Sequence, residues 1–120
     1  MLKNIVIVVE NIEVSKKFYK ELFGLSVVLD MGQNVILTEG LVLQEKQMWQ
    51  ESMDIAVKDK CHNIILYFEE RNIDYFLERL EGNSFEVQYV HPLREEGGRK
   101  VIRIYDPDNH MIEVREINIA

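Results

Sequence analysis

The chain has 120 residues, 47% of them apolar, a net charge of −7 and a single cysteine, Cys61. This length supports one core rather than two independent domains, and an acidic chain with no basic cluster beyond Arg99–Lys100 is a poor partner for nucleic acid or anionic membranes. One cysteine excludes an internal disulfide framework and suits a reducing compartment, and the apolar run Ile5–Val9, closed at once by Glu10, is neither a signal peptide nor a membrane span, so the expected location is the cytoplasm.

Ile5–Val9 is continuous and β-branched, which predicts a strand. Asn11 is placed to cap a helix whose apolar stripe is Val14, Phe18 and Leu22, with Tyr19 and Phe23 beside it. Gly24 supplies the stop, because it enters positive φ without a side-chain clash. Three short strands fit next, Ser26–Leu29, Asn34–Thr38 and Leu41–Lys46, broken at Met31–Gly32 and Glu39–Gly40. Gln47–Lys60 has poor periodicity and reads as a connector. Asn63–Phe68 predicts the next strand, and Asn72 caps a helix with Ile73, Phe76, Leu77 and Leu80 inward, ended by Gly82–Asn83. Strands then fit Phe85–Val90, Val101–Tyr105 and Met111–Ile117, and Gly97–Gly98 reads as a mobile link between them.

The order repeats. Asn4–Glu10 (NIVIVVE) matches Asn63–Glu69 (NIILYFE) at a spacing of 59, and Phe18–Gly24 (FYKELFG) matches Phe76–Gly82 (FLERLEG) at 58. Each half is βαβββ, with modules at about residues 1–46 and 62–120 and a connector at 47–61. A module of that size cannot bury its own apolar face, so the halves are expected to form one domain of α+β class with a cleft where they meet.

Alternation assigns the faces. Ile64, Leu66 and Phe68, with Ile102, Ile104, Ile112 and Val114, are expected against the helices. Asn4, Val6, Val8, Asn63, Ile65, Tyr67, Arg103, Tyr105, Met111, Glu113 and Arg115 are expected to line the cleft, a mixed polar face that needs water or partners. Asp106-Pro107-Asp108-Asn109-His110 is a turn, with Asp106 accepting hydrogen bonds, Pro107 presetting φ and Asn109 tolerating the left-handed region. A five-residue loop there pairs Arg103 with Glu113 and Val101 with Arg115 across a hairpin. An ion pair holding that hairpin and a ligand-binding role stand as equal readings of Arg103 and Glu113. His110 reads as solvated or capping the turn. Cys61 and His62 are neighbours whose side chains point apart in a strand, so no thiolate–imidazole pair is expected; Cys61 reads as a small buried or edge residue and His62 as facing away from the cleft.

The paired βαβββ order, the segment Phe18–Leu25 (FYKELFGL) and the ending Arg103–Val114 (RIYDPDNHMIEV) resemble the vicinal oxygen chelate superfamily over essentially the whole chain. That superfamily contains glyoxalase I, extradiol dioxygenases, fosfomycin-modifying enzymes and bleomycin-binding resistance proteins. The resemblance implies a curved mixed sheet with a concave cleft and a homodimer. It also implies metal-ligand positions at Asn4, Asn63 and Glu113, and a further carboxylate position within Leu41–Leu43. Neutral amides are weak ligands for Zn²⁺, Ni²⁺ or Fe²⁺, so a site without metal or other cofactor is expected.

Two functional readings follow, with a third in reserve. The first is a metal-independent small-molecule binder resembling the drug-binding resistance proteins. Asn4, Asn63, Arg103 and Glu113 would supply polar contacts, and Tyr67, Tyr89, Met111 and Trp49 apolar or stacking area. The second is a lyase, isomerase or dioxygenase-type enzyme with an atypical metal site, using Glu113 as catalytic base and Arg103 to stabilise an enolate-like oxygen. The third is a dimeric protein with a vestigial cleft.

Overall fold

The computed structural model describes residues 1–58 and 62–117 and divides into two compact units, Met1–Asp59 and Lys60–Ala120. Cys61 lies outside the described residues.

In the first unit, β1 (Ile5–Val9) leads into α1 (Ile12–Phe23), followed by β2 (Val27–Asp30), β3 (Asn34–Leu37), a 3-10 turn at Thr38–Gly40, β4 (Leu41–Glu45) and α2 (Lys46–Met53). Asn11 caps α1, its side chain accepting from the Val14 amide. Gly24, at φ 68°, closes the helix, its N–H donating to the Lys20 carbonyl and that of Leu25 to the Tyr19 carbonyl. Ile12, Ser15, Phe18, Tyr19 and Leu22 form the buried face. The stripe is therefore set one position away from Val14, which stays 37% exposed. Each fully buried aromatic or leucine there stabilises the fold by about 1.5–3 kcal/mol.

The first sheet has the order β1-β4-β3-β2, with β1 and β4 parallel and the other pairs antiparallel. Ile7, Val9, Val35, Leu37, Leu41 and Leu43 are buried, whereas Val6 and Val8 share the opposite face with Asn34, Ile36, Val42 and Gln44 through their register. Gly40 needs its identity twice over. Its φ is 80°, and a Cβ would lie 2.9 Å from the Lys3 carbonyl oxygen.

α2 occupies what the sequence presents as a connector. Glu45 caps it, accepting from the amides of Gln47 (3.0 Å) and Met48 (2.8 Å), and Asp54 ends it at φ 57°. None of its residues is fully buried, so it carries no apolar stripe for periodicity to find.

The second unit repeats the plan: β5 (Ile65–Glu70), α3 (Ile73–Gly82), β6 (Tyr89–Glu96), β7 (Arg99–Tyr105) and β8 (Met111–Glu116). Its sheet runs β5-β8-β7-β6, again with one parallel pair, β5 and β8. Asn72 caps α3 through the amides of Asp74 and Tyr75, and Ile73, Phe76 and Leu80 are buried. The chain thus forms two βαβββ modules, each with a mixed four-stranded sheet.

Two expectations are corrected here. β6 covers Tyr89–Glu96 rather than Phe85–Val90. It is an edge strand with register shifts on both sides of His91, and this irregular edge accommodates Pro92, which has no N–H to donate. Gly97 and Gly98, at φ 61° and 77°, form the two-residue turn of the β6–β7 hairpin, in which Glu96 pairs with Arg99. They are a tight register-setting turn rather than a loose link.

Candidate functional site: a guanidinium–carboxylate network on an open sheet face

Register sorts the second sheet into two faces. Ile102 and Ile104 pair with Val114 and Ile112 and are buried. The opposite face carries Ile65, Tyr67 and Glu69 from β5, Met111, Glu113 and Arg115 from β8, and Val101, Arg103 and Tyr105 from β7. On β6, His91 stands opposite Arg103 and Arg94 opposite Val101. Ile65 and Tyr67 are 48% and 50% exposed, so this face is open along its β5 edge.

The expected pairs Arg103–Glu113 and Val101–Arg115 are present. Arg103 Nε donates to Glu113 Oε1 at 2.8 Å. Its two terminal nitrogens donate to the two oxygens of Glu96, Nη1 to Oε2 at 2.8 Å and Nη2 to Oε1 at 3.0 Å. Arg115 Nη2 reaches Glu96 Oε1 at 3.2 Å, and its Nε lies 3.4 Å from Glu113 Oε2. Arg94 Nε donates to Glu96 Oε2 at 2.7 Å. A bidentate fork of this kind fixes orientation as well as charge. The Arg103 hydrogen bond, with the charges of Arg103 and Arg94 and the Arg115 contact, outweighs desolvation and holds the Glu96 carboxyl down at about 2. Arg103 is correspondingly raised by Glu96 and Glu113 against the cost of its burial.

Glu96 is the residue that sequence reasoning misses. Ending the sixth strand at Val90 leaves Glu96 in a loop, whereas the diglycine turn brings it back across the sheet. The signal was available in Gly97–Gly98 read as a two-residue hairpin turn.

The other expected site residues are placed unevenly. Tyr67 pairs with Glu113, and Met111 with Ile65 and Tyr105, so these share the open face. Asn63 precedes β5 and is exposed; Ile64 is also exposed, and of Ile64, Leu66 and Phe68 only Leu66 is fully buried. Tyr89 pairs with Ile104, on the other face from Arg103. His62 corrects its expectation, because its ring approaches that of Tyr105 at 5.5 Å, beside the open face. Asn4 and Trp49 belong to the first unit, both partly buried, with Asn4 just before β1 and Trp49 on α2.

The Asp106–His110 turn is a second polar cluster, at the end of the β7–β8 hairpin. Asp106 is 4% exposed. Its Oδ1 accepts from the amides of Asp108 (2.9 Å) and His110 (2.8 Å), and its Oδ2 lies 2.7 Å from His110 Nδ1. Asn109 takes φ 66°, as its position in the turn requires. Burial opposes protonation of His110, but the hydrogen bond to Asp106 and the charges of Asp106 and Asp108 prevail and raise its pKa. One donor atom each from Asp106, Asp108 and His110 lies within 4.8 Å of the others, close enough to surround a cation.

The model of the glyoxalase-like domain matches residues 2–117, and the chain belongs to that family, within the vicinal oxygen chelate superfamily. Among solved structures, the chain is 30% identical to a protein of unknown function from Agrobacterium tumefaciens str. C58, with a TM-score of 0.83 over 98% of this chain and 94% of that one. A glyoxalase-related enzyme from Fulvimarina pelagi has 23% identity and a TM-score of 0.82, over 98% and 88% of the two chains. A lactoylglutathione lyase from Agrobacterium tumefaciens has 23% identity and a TM-score of 0.71, over 97% and 92%. No protein with a curated description matches.

Metal sites of the superfamily type do not fit these residues. Val8 pairs with Gln44 and Gln44 with Asn34, just as Tyr67 pairs with Glu113 and Glu113 with Arg103. The first-module counterpart of Glu113 is therefore Gln44, beyond the expected Leu41–Leu43 window. Gln44 Nε2 donates to Asn34 Oδ1 at 2.9 Å. Asn4 and Gln44 in the first unit and Asn63 in the second are neutral amides, and Glu113 already faces two guanidinium groups, so the residues of neither unit offer much to a transition metal.

Proposed function

We propose that this glyoxalase-like protein handles a small molecule on the open face of its second sheet, with Arg103 and Glu113 fixing the polar floor and Tyr67 and Met111 supplying apolar contact. The observation that carries this reading is the Arg103–Glu96–Arg115–Glu113 network. It is a rigid, hydrogen-bonded patch next to half-exposed Ile65 and Tyr67. A few oriented polar groups among apolar walls are what small-molecule sites require. Asn63 stands at the edge of this face, and Tyr89, Asn4 and Trp49 are not needed by the proposal. We take the two modules to act as one domain, in the cytoplasm, as a homodimer. No helix among the described residues is long and apolar enough to cross a membrane.

Two finer readings share that face: a metal-free binder, and a lyase- or isomerase-type enzyme assisted by an atypical cation site. The Asp106–Asp108–His110 group favours the second over strict metal independence, because two carboxylates and an imidazole are the donor types a divalent cation takes. The experiment is a calorimetric titration of the apo protein with Mn²⁺, Ni²⁺ and Zn²⁺, repeated on Asp108→Asn and Glu113→Gln. One cation per chain, weakened by Asp108→Asn and not by Glu113→Gln, supports the enzyme reading. Absence of binding leaves the metal-free binder, and binding insensitive to Asp108→Asn removes this turn as the cation site.

A further inference from the structure

Three guanidinium groups and two carboxylates form the network, and their donors are not equally committed. All three nitrogens of Arg103 are taken, by Glu113 and by both oxygens of Glu96. Arg115 is taken likewise: Nη1 donates to the Glu96 carbonyl at 3.3 Å, Nη2 to Glu96 Oε1, and Nε faces Glu113. Both side chains are only 14% exposed. Arg94 differs. Its Nε is bound to Glu96, its Nη2 contacts His91 Nδ1 at 3.4 Å, and Nη1 meets no partner among the described residues. Its side chain is 47% exposed. The network holds one guanidinium more than it has carboxylates, and Arg94 is the one whose side chain is half-exposed and whose donors are not all taken. The bulge around Pro92 puts His91 and Arg94 on the same face, opposite Arg103 and Val101. With Nδ1 accepting from Arg94, a neutral His91 carries its proton on Nε2, which adds a second outward donor beside the first.

We propose that Arg94 and His91 form an oxyanion-binding clamp, and that the ligand of this face is an organic carboxylate or a phosph(on)ate. This rests on the reading that the face binds a small molecule, and it moves the ligand-binding cation from Arg103 to Arg94. Arg103 and Arg115 position Glu96, and Glu96 holds Arg94 Nε, which leaves Nη1 and the second hydrogen of Nη2 as donors on a half-exposed side chain. The fork matches two oxygens of a carboxylate or phosphonate. Ile65 and Tyr67 stand on β5, at the opposite edge of the sheet from β6, so the clamp selects the headgroup and not the body of the ligand.

The test follows backbone amides and the Arg94 Nε–H by NMR while the protein is titrated with benzoate, phenylphosphonate, benzyl alcohol and benzylammonium at constant ionic strength. The expected result is saturable shifts on β6 and at Arg94 Nε with one or both oxyanions, and none with the alcohol or the amine. The arm that saturates lower identifies the headgroup. Arg94→Gln should weaken the oxyanion by at least about tenfold, with Arg94→Lys intermediate because it keeps charge without the fork. Arg71→Gln, the same charge change in the exposed β5–α3 turn, should leave binding unaltered. Unshifted amides elsewhere establish that the Arg94 variants fold. Equal binding of alcohol and oxyanion on this face, or oxyanion binding indifferent to Arg94→Gln, overturns the clamp while leaving the small-molecule reading intact. No saturable shift on the face with any of the four probes overturns both.

Discussion

Replacing Arg103 with Met removes the guanidinium while keeping most of the aliphatic bulk, and it isolates the contribution of the network to stability. Arg103 makes three charge-assisted hydrogen bonds, and its side chain and that of Glu113 are 14% and 15% exposed. Breaking one partner of a fully buried ion pair costs about 3–5 kcal/mol, whereas exposed pairs contribute about 0–1 kcal/mol. This site is nearer the buried limit, but Glu113 retains Arg115 and Glu96 retains Arg94 and Arg115. The remaining partners reduce the loss to about 2 kcal/mol, equivalent to a fall in Tm of about 6–10 °C for a chain of this size. Urea titrations of wild type, Arg103→Met, Glu113→Gln and the double variant would measure it. The double variant should be less destabilised than the sum of the singles, because the orphaned Glu113 charge is what the single substitution exposes. A shift below about 0.5 kcal/mol for Arg103→Met, with additive singles, would show that solvent screens the network, and the rigid-floor argument would fail.

Glu96 gives the network an acid limb. Its carboxyl is held at about 2 against an unperturbed 4.5, so its stabilisation is fully present above 4.5 and is lost as pH falls through about 2. Chemical unfolding midpoints between pH 5 and pH 2 should therefore fall less steeply for Glu96→Gln than for wild type, and parallel slopes would contradict the assignment. Gly40→Ala should destabilise by about 1–3 kcal/mol, since it forces both a strained φ and a 2.9 Å approach to the Lys3 carbonyl. Gly32→Ala, at a similar φ but with open space around it, should cost less when both are compared by thermal melting.

The elements that the sequence announces are those whose local chemistry and burial agree. Asn11 and Asn72 cap helices, Gly24 ends one, and the Asp106–His110 turn sets the register that joins Arg103 to Glu113. The failures have local causes. α2 buries none of its residues fully and so shows no period, and β6 contains a proline, which lowers its standing as a strand although an edge tolerates one. Missing β6 hid Glu96, and with it the fact that Arg103 is fully committed. The hydrogen-bond partners of an arginine cannot be counted from pairwise register alone, because the third strand decides them.

The internal repeat sharpens the functional reading. Both sheets place a polar cross-strand pair at the same register position on the open face, Asn34 with Gln44 in the first and Arg103 with Glu113 in the second. In the first unit the pair is two neutral amides joined by one 2.9 Å hydrogen bond. In the second it is ionic and extended by Glu96, Arg115 and Arg94. A purely structural need at that position would be met by either version, since one neutral hydrogen bond already stabilises a sheet by about 1 kcal/mol. The added charges bring desolvation costs that packing alone does not require. Their concentration on one module, ending in the half-exposed Arg94, is the arrangement expected where an anionic ligand adds a further counter-charge.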